Sequence, residues 1–416
     1  MSGPFGSTLK GDAYLSSGDI AFIRVQNIKG GFDINDNDLV YISNKDNEKI
    51  KSSSLQEGDL ILSKVGNSIG YFAKVSSDLG KCNISENNIG IKLSSYSDIE
   101  KSFILTYLNA KYANKLVLRR KSGNAQPKIN VDDLCRIPIL IFPKLSENIH
   151  NLIQLHEAYL NQSIVSYKQA EDILNKELGI TNIENTKNYS VKSFSESFGE
   201  SNRLDAEYYQ DKYTQLFDII KNGKQLKELV TITKSIEPGS DEYKDEGIPF
   251  LRVSNLTKFG LTDSNVFLDR KKYENLLKPR KDTILFSKDG SIGIAYKAES
   301  DLDCITSGAL LHLSVKKTTI LPDYLALVLN SKIVQLQAER DSGGSIINHW
   351  RLPEIEMVLI PMLDYDIQNQ ISQKVQESFK LRKDSKNLIN VAIRAVELAI
   401  EKNEEYASQW LIENSN

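Results

Sequence analysis

The chain contains no apolar run near the ~20 residues that a membrane-spanning helix needs. A stretch such as Ile137-Pro138-Ile139-Leu140-Ile141-Phe142 stops after six residues. Met1-Ser2-Gly3-Pro4 opens neither a basic nor an apolar leader, so no signal peptide is expected and the expected compartment is the cytoplasm. The three cysteines, Cys82, Cys135 and Cys304, lie far apart and cannot form a paired disulfide framework. Four histidines supply no metal site: His150 and His156 fall on opposite faces of an expected helix, and neither has a cysteine at finger spacing. They are read as surface or half-buried residues. The net charge of −3 neither requires nor excludes nucleic acid, since local patches decide that.

The motifs of catalysis are missing too. Gly66-Asn67-Ser68-Ile69-Gly70 and Gly290-Ser291-Ile292-Gly293 lack the Gly-Lys-Ser/Thr ending and glycine spacing of a phosphate loop, and read as turns between strands. There is no Asn/Asp-Pro-Pro-aromatic tetrapeptide, no Gly-x-Ser-x-Gly elbow and no Pro-Asp…Glu-x-Lys cluster. Asp132-Asp133 and Glu404-Glu405 read as solvated carboxylates. No enzyme activity and no cofactor are expected.

What the sequence does have is itself, twice. With 416 residues, 40% hydrophobic and 26% charged, it suits two or three globular domains. Phe22-Ile23-Arg24-Val25-Gln26-Asn27-Ile28 recurs as Phe250-Leu251-Arg252-Val253-Ser254-Asn255-Leu256. The run from Asp59 to Gly70 recurs, with one insertion, from Asp282 to Gly293. Leu108-Asn109-Ala110-Lys111 matches Leu329-Asn330-Ser331-Lys332, and Ser122-Gly123 matches Ser342-Gly343. Pro143, Leu145, Ile149, Asn151 and Ile153 reappear at identical spacing as Pro361, Leu363, Ile367, Asn369 and Ile371. Five blocks in one order establish a duplication.

Each copy has a mixed part and a helical part. Residues 21–28, 59–63, 247–256 and 283–286 read as strands, with helices near 103–118 and 322–338. Ile149, Ile153, Leu160, Tyr167, Ala170, Leu174 and Leu178 form an apolar stripe at helical spacing, ended by Gly179 at a C′ position. Ile367, Ile371, Val375, Phe379, Leu388, Ala392, Ala395 and Ala399 form a second. Helices roughly 45–60 Å long need their stripes covered. Packing against each other, antiparallel, is the expected solution, and packing back on each copy's own domain is the alternative. The expected fold class is α+β, with two similar domains separated by two long helices packed as an antiparallel coiled coil. The expected boundaries are a first recognition domain at 1–143, a long helix at 144–180 and a polar linker leading into the second copy at 181–223. A second domain at 224–361 and a second long helix at 362–412 follow.

Basic residues cluster in both copies. Residues 111–128 hold six Lys/Arg and no Asp or Glu, and residues 258–297 hold nine against five. Such residues neutralise phosphates, and Arg, Asn and Gln can also contact base edges. The candidate DNA-binding residues are Lys64, Lys115, Arg119, Arg120, Lys121, Asn124, Gln126 and Lys128 in the first copy. In the second they are Arg270, Lys271, Lys272, Lys288, Arg340, Asn348 and Arg351.

This order of parts resembles the specificity subunit of type I restriction–modification systems. The resemblance rests on Ser2-Gly3-Pro4-Phe5-Gly6-Ser7, Ser122-Gly123-Asn124-Ala125-Gln126-Pro127, Arg203-Leu204-Asp205-Ala206-Glu207-Tyr208-Tyr209, Gly247-Ile248-Pro249-Phe250-Leu251-Arg252-Val253 and Gln376-Glu377-Ser378-Phe379. It implies two target recognition domains, each reading half of a split site in double-stranded DNA. The helices would act as spacer and as docking surface for methyltransferase subunits, two of them, with restriction subunits joining through the complex and no membrane involved. One departure stands out: the second copy has about thirty residues, from Arg203 to roughly Lys234, before its first matched block, and the first copy has no counterpart for them. That implies a late start or a trimmed first domain. Because the two domains would read different half-sites, the identities Arg24/Arg252 and Asn27/Asn255 are expected to be structural. The divergent segments 29–57 against 257–278, and 124–128 against 344–351, are expected to read bases. A two-headed coiled-coil adaptor that binds only proteins is the alternative.

If the stripes form a strut, heads reading one face of DNA sit about one turn, roughly 34 Å, apart or a multiple of it. Inserting four residues in one stripe, ~6 Å, should lengthen the unspecified gap by about a base pair or two with both half-sites kept. A two-residue insertion should turn the stripe by about 200° and unfold the pair. Methylation-site mapping reads both, and an unchanged gap in a stable four-residue variant rejects the strut.

Overall fold

The computed structural model describes the chain except for residues 5–7, 10–12, 29, 36–38, 67–68, 124–126, 188, 200, 317–319, 343–348 and 415–416. It divides into two compact units, Met1–Leu160 with Arg382–Asn416, and Asn161–Leu381. Both are mixed helix-and-sheet structures.

In the first unit, Ile20–Ile23 lies between Val40–Ile42, antiparallel, and Cys82–Ile84, parallel. A second sheet runs in the order Phe32–Asp33, Phe72–Lys74, Leu60–Ser63, Asn88–Ile91. Helix Asp98–Asn109, opened by a Ser97/Glu100 capping box, packs on that sheet and is followed by helix Lys111–Arg119. The second unit repeats the plan. Ile248–Leu251 lies between Phe267–Leu268, antiparallel, and Ile305–Thr306, parallel. Its other sheet runs Ala295–Lys297, Ile284–Ser287, Leu310–Val315, Val230–Lys234. Helices Pro322–Asn330 and Lys332–Asp341 follow.

Three expectations are corrected by side-chain hydrogen bonding to the backbone. The runs 21–28 and 247–256 are not continuous strands: each turns into a 3-10 helix, Val25–Ile28 and Val253–Asn255. The Asn27 and Asn255 carboxamide oxygens accept from the Arg24 and Arg252 N–H at 2.9 and 3.0 Å. Their Nδ2 groups donate to the carbonyls of Asn35 and Asp263. The identical asparagines therefore close the same turn. The helices near 103–118 and 322–338 are each two, broken at Ala110 (ψ 148°) and Ser331 (ψ 163°). Before each break an asparagine clamps the sheet. Asn109 Oδ1 accepts from Phe72 N–H (3.1 Å) and its Nδ2 donates to the Phe72 carbonyl (2.9 Å). Asn330 does the same to Ala295, at 3.0 and 2.7 Å. The stripe at 362–412 is also two helices, Tyr365–Glu401 and Glu404–Asn414, because Asn403 begins the second by accepting Tyr406 N–H at 2.8 Å.

The long helix Pro143–Glu177 ends where expected, at Gly179 with φ +66° and a bond from Ile180 N–H to the Asn175 carbonyl. Within the first unit, Leu145, Ile149, Leu152 and Ile153 are buried in one core with Ala392, Ala395, Val396 and Ala399. Deeper along this pair, Ser385 Oγ bonds to His156 Nδ1 (2.6 Å) and carbonyl (3.1 Å). His156, expected at the surface or half-buried, is buried, with Nε2 3.2 Å from Asp33 Oδ1. Within the second unit, Tyr167, Ala170 and Leu174 share a core with Ile371 and Val375, and Ser163 Oγ meets Ser378 Oγ at 3.0 Å. In each unit partner numbers fall as residue numbers rise, so the segments run antiparallel.

One difference separates the copies. In the second unit Lys224–Gln225 pairs with Leu359–Ile360, and the helices Asp211–Ile220 and Leu226–Leu229 contribute Tyr213, Leu216, Ile220, Leu226 and Leu229 to its core. In the first unit Met1 and Gly90 exchange backbone bonds (2.7 and 2.8 Å), at the place that Lys234 and its neighbours take beside Leu310–Val315. Ile139, Leu140 and Ile141 have no strand partner among the described residues and are 40%, 49% and 72% exposed.

Replacing Asn330 by Ala leaves the N–H and carbonyl of Ala295 without their partner. An unsatisfied buried polar group costs about 1–3 kcal/mol, so Asn330→Ala should lower the urea midpoint of the second unit with an unchanged m-value. A midpoint equal to the parent's would show that the clamp contributes nothing.

Candidate nucleic-acid interface

The candidate basic residues of the first unit converge because the loop after its second helix folds back on the sheet. Strand Leu60–Ser63 ends at Lys64, whose carbonyl accepts from Ile129 N–H at 3.0 Å. Val65 bridges Lys128, and Ser122 and Lys128 exchange two 2.8 Å backbone bonds. The turn between strands needs its glycine: Gly70 has φ +101°, and a Cβ there would lie 2.6 Å from Asn114 Nδ2, which donates to the Gly70 carbonyl. Lys64, Lys121 and Lys128 thus gather beside Arg119 and Arg120 at the C-terminal end of helix Lys111–Arg119, where cations also meet the negative end of the helix dipole.

Their charges are available. Among the described residues Lys64, Lys115, Arg119, Arg120, Lys121 and Lys128 form no ion pair with a carboxylate; Lys64 Nζ reaches Ser2 Oγ (3.3 Å) and Arg120 donates to the Arg136 carbonyl (3.4 Å). Lys115, Arg119, Lys121 and Lys128 are exposed. Lys111, counted in the same run, is engaged elsewhere, 2.6 Å from Glu401; that contact and the ones from Arg394 and Tyr112 hold the Glu401 carboxyl down to about 2.

The second unit has the same frame with the charges spent internally. Strand Ile284–Ser287 ends at Lys288, whose carbonyl accepts from Trp350 N–H at 2.9 Å, and Asp289 bridges His349. Gln335 Nε2 holds the Gly293 carbonyl at 2.7 Å, as Asn114 holds Gly70. Yet Lys288 pairs with Asp289, Arg351 with Glu354, and Arg340 with Asp341. Arg340 also stacks over Tyr208 and Phe217. Arg270, Lys272, Lys278 and Arg280 face Glu242, Glu274, Asp301 and Asp303. Hydrogen bonds from Arg270 and Lys278 pull Asp303 down to about 2. Each exposed pair stabilises little, but the cluster presents almost no net charge to a distant phosphate. Of that group of candidates only Lys271 is unpaired among the described residues. Asn124, Gln126 and Asn348 lie outside the described residues, as do Phe5-Gly6-Ser7 of the opening motif and parts of the divergent segments.

Sequence reading passed over Asp289 and did not single out His349 within the segment 344–351 that it expected to read bases. The signal was present, since the duplication carries Lys64-Val65 onto Lys288-Asp289, but the partner loop aligns only once the bridges are seen. Among the described residues no three His, Cys, Asp or Glu side chains gather as metal ligands would, and no helix is long and apolar enough to cross a membrane.

Residues 221–393 match the family model of the type I restriction modification DNA specificity domain. The resemblance read from the sequence is also met in a curated relative, the EcoBI specificity subunit of the type I restriction enzyme of Escherichia coli. It is 26% identical over 192 residues, covering 43% of this chain and 39% of the relative. The match therefore spans less than half the length of that relative. Among solved structures, the S subunit of the type I system from M. genitalium is similar over 95% of this chain and 92% of its own, at 13% identity and a TM-score of 0.38. The HsdS subunit from Thermoanaerobacter tengcongensis covers 92% and 90%, at 15% identity and 0.31. Both TM-scores are low.

The charge states are open to chemical labelling. Lys272, Lys278 and Lys297 have pKa values raised: the hydrogen bond that Lys272 donates to Glu242 does so for Lys272, and those that Lys278 donates to Asp303 and Glu274 do so for Lys278. For Lys297 burial works downward, but Asp323 and Glu299 outweigh it. An ion-paired amine is shielded from acylation, so limiting acetylation read by mass spectrometry should modify the exposed, unpaired Lys115, Lys121 and Lys128 before these three. The reverse order would contradict the pairing described.

Proposed function

We propose that the chain is the non-catalytic, sequence-reading subunit of a type I restriction–modification complex. In this reading it binds a bipartite site in double-stranded DNA in the cytoplasm. It docks methyltransferase subunits, two of them, and through them restriction subunits. The carrying observation is the DNA specificity domain matched over residues 221–393, whose frame recurs in the first unit down to the asparagine clamps at Phe72 and Ala295. A domain that recurs in frame and diverges in its loops suits two heads that read two different half-sites. The long helices Pro143–Glu177 and Tyr365–Glu401 are the spacer and docking surface in this reading. Each head needs only to bind, orient and discriminate, which hydrogen-bonding loops and free cations can do; methyl transfer and cleavage belong to the partners.

The test of the reading is methylation-site mapping in cells with and without the chain. A split sequence methylated only in its presence supports the reading, and none rejects it. The charge distribution adds a quantitative expectation. Log affinity should fall linearly with log salt, by about 0.9 per neutralised phosphate. Replacing Arg119, Arg120 and Lys121 together by Ala should reduce that slope by about two to three and leave sequence preference intact. The triple Arg270, Lys271 and Lys272 to Ala should reduce it by about one or less, since two of the three are already paired. Equal losses would place the second cluster on the phosphates as firmly as the first.

A further inference from the structure

We infer that His349, held in place by Asp289, is a base-reading residue of the second head. The inference rests on the DNA-reading function proposed above. The two units place one backbone bridge at the same point of the frame, just past the end of the strand that precedes the glycine-bounded turn, 66–70 or 290–293: Val65 with Lys128, and Asp289 with His349. The flanking bonds agree, from Ile129 N–H to the Lys64 carbonyl at 3.0 Å and from Trp350 N–H to the Lys288 carbonyl at 2.9 Å. Lys128 belongs to the patch of free cations on the first head, so His349 occupies the corresponding face of the second.

The chemistry at the two positions differs in kind. Lys128 is exposed, carries no acidic partner among the described residues, and has a flexible stem, which suits a phosphate that needs only a point charge. The His349 side chain is 62% exposed, but its ring is fixed: Nδ1 lies 2.8 Å from Asp289 Oδ1, while Lys288 occupies the other oxygen of the same carboxylate. Burial pushes the Asp289 carboxyl upward, but its hydrogen bonds with Lys288 and His349 outweigh that and hold it below its usual range. A carboxylate beside the ring makes the position a poor phosphate anchor. An imidazole oriented through Nδ1 instead presents one directional group, Nε2, and directional hydrogen bonds are what distinguish base edges in the major groove. Buried Trp350, next in sequence and 5.8 Å from the Phe286 ring, fixes the backbone from which that ring projects.

The test uses the full chain with its partners in cells and reads the methylated sequence. His349→Ala should lower discrimination at one base pair of one half-site about tenfold, with every other specified position kept. His349→Gln, which retains a hydrogen-bonding group, should shift or partly restore the preference there. Asp289→Asn should relax the same position and no other, as expected of a positioning residue. Lys128→Ala, by contrast, should weaken methylation evenly at all sites. A His349→Ala sequence pattern identical to the parent's, or a uniform loss like that of Lys128→Ala, overturns the assignment while leaving the DNA-reading function standing. A parent chain that directs no split methylated sequence overturns that function and this inference together.

Discussion

An apolar seam between two antiparallel helix segments lies in the core of each unit, and the mixed domains are built onto it. In the first unit the seam joins Ile149, Leu152 and Ile153 to Ala392, Ala395 and Ala399. Burying each large side chain contributes roughly 1.5–3 kcal/mol, and the alanines let the backbones approach. The seam also explains why residues near both ends of the sequence share one unit: the segment after residue 381 must return to cover the stripe that begins at Leu145. The second unit obeys the same rule with Tyr167, Ala170 and Leu174 against Ile371 and Val375. Polar groups punctuate both seams, His156 with Ser385 and Ser163 with Ser378; buried hydrogen bonds of that kind cost much if mispaired and so favour one register.

On that base the duplication supplies a frame and divergence supplies its use. The frame is held by side-chain amides rather than by long strands, since most strands are two to five residues. Asn27, Asn109 and Asn114 each bind backbone from outside their own element, and Asn255, Asn330 and Gln335 repeat the contacts. Short strands need such ties because each offers few ladder bonds. Once the frame is fixed this way, the loops that project from it can change sequence without unfolding the domain.

The charges show what divergence has done. In the first head Lys64, Lys115, Arg119, Arg120, Lys121 and Lys128 meet no carboxylate among the described residues, and the second head pairs all its described basic candidates but Lys271. One head therefore presents charge that acts at long range, which salt screens. The other is suited to act at contact distance, where orientation counts more than net charge.

Several features were legible in the sequence because they are local or repeated. Five ordered blocks fix the duplication, stripes at three- and four-residue steps fix the long helices, and Gly179 marks one helix end. The missing Gly-Lys-Ser/Thr and Gly-x-Ser-x-Gly motifs follow from reading alone. The breaks at Ala110 and Ser331 were not legible, since neither residue is a helix breaker; each break follows from an asparagine whose partner strand lies 35 or 37 residues away. Nor does a count of nine basic against five acidic residues reveal that Arg270 and Lys278 meet Asp303 across the fold. Composition and periodicity are properties of neighbours along the chain, so the sequence by itself determined the repeat, the elements and the family they resemble. Which charges cancel, where the domain helices break and which loops meet depend on distances between residues far apart in sequence, and only the tertiary structure decided those.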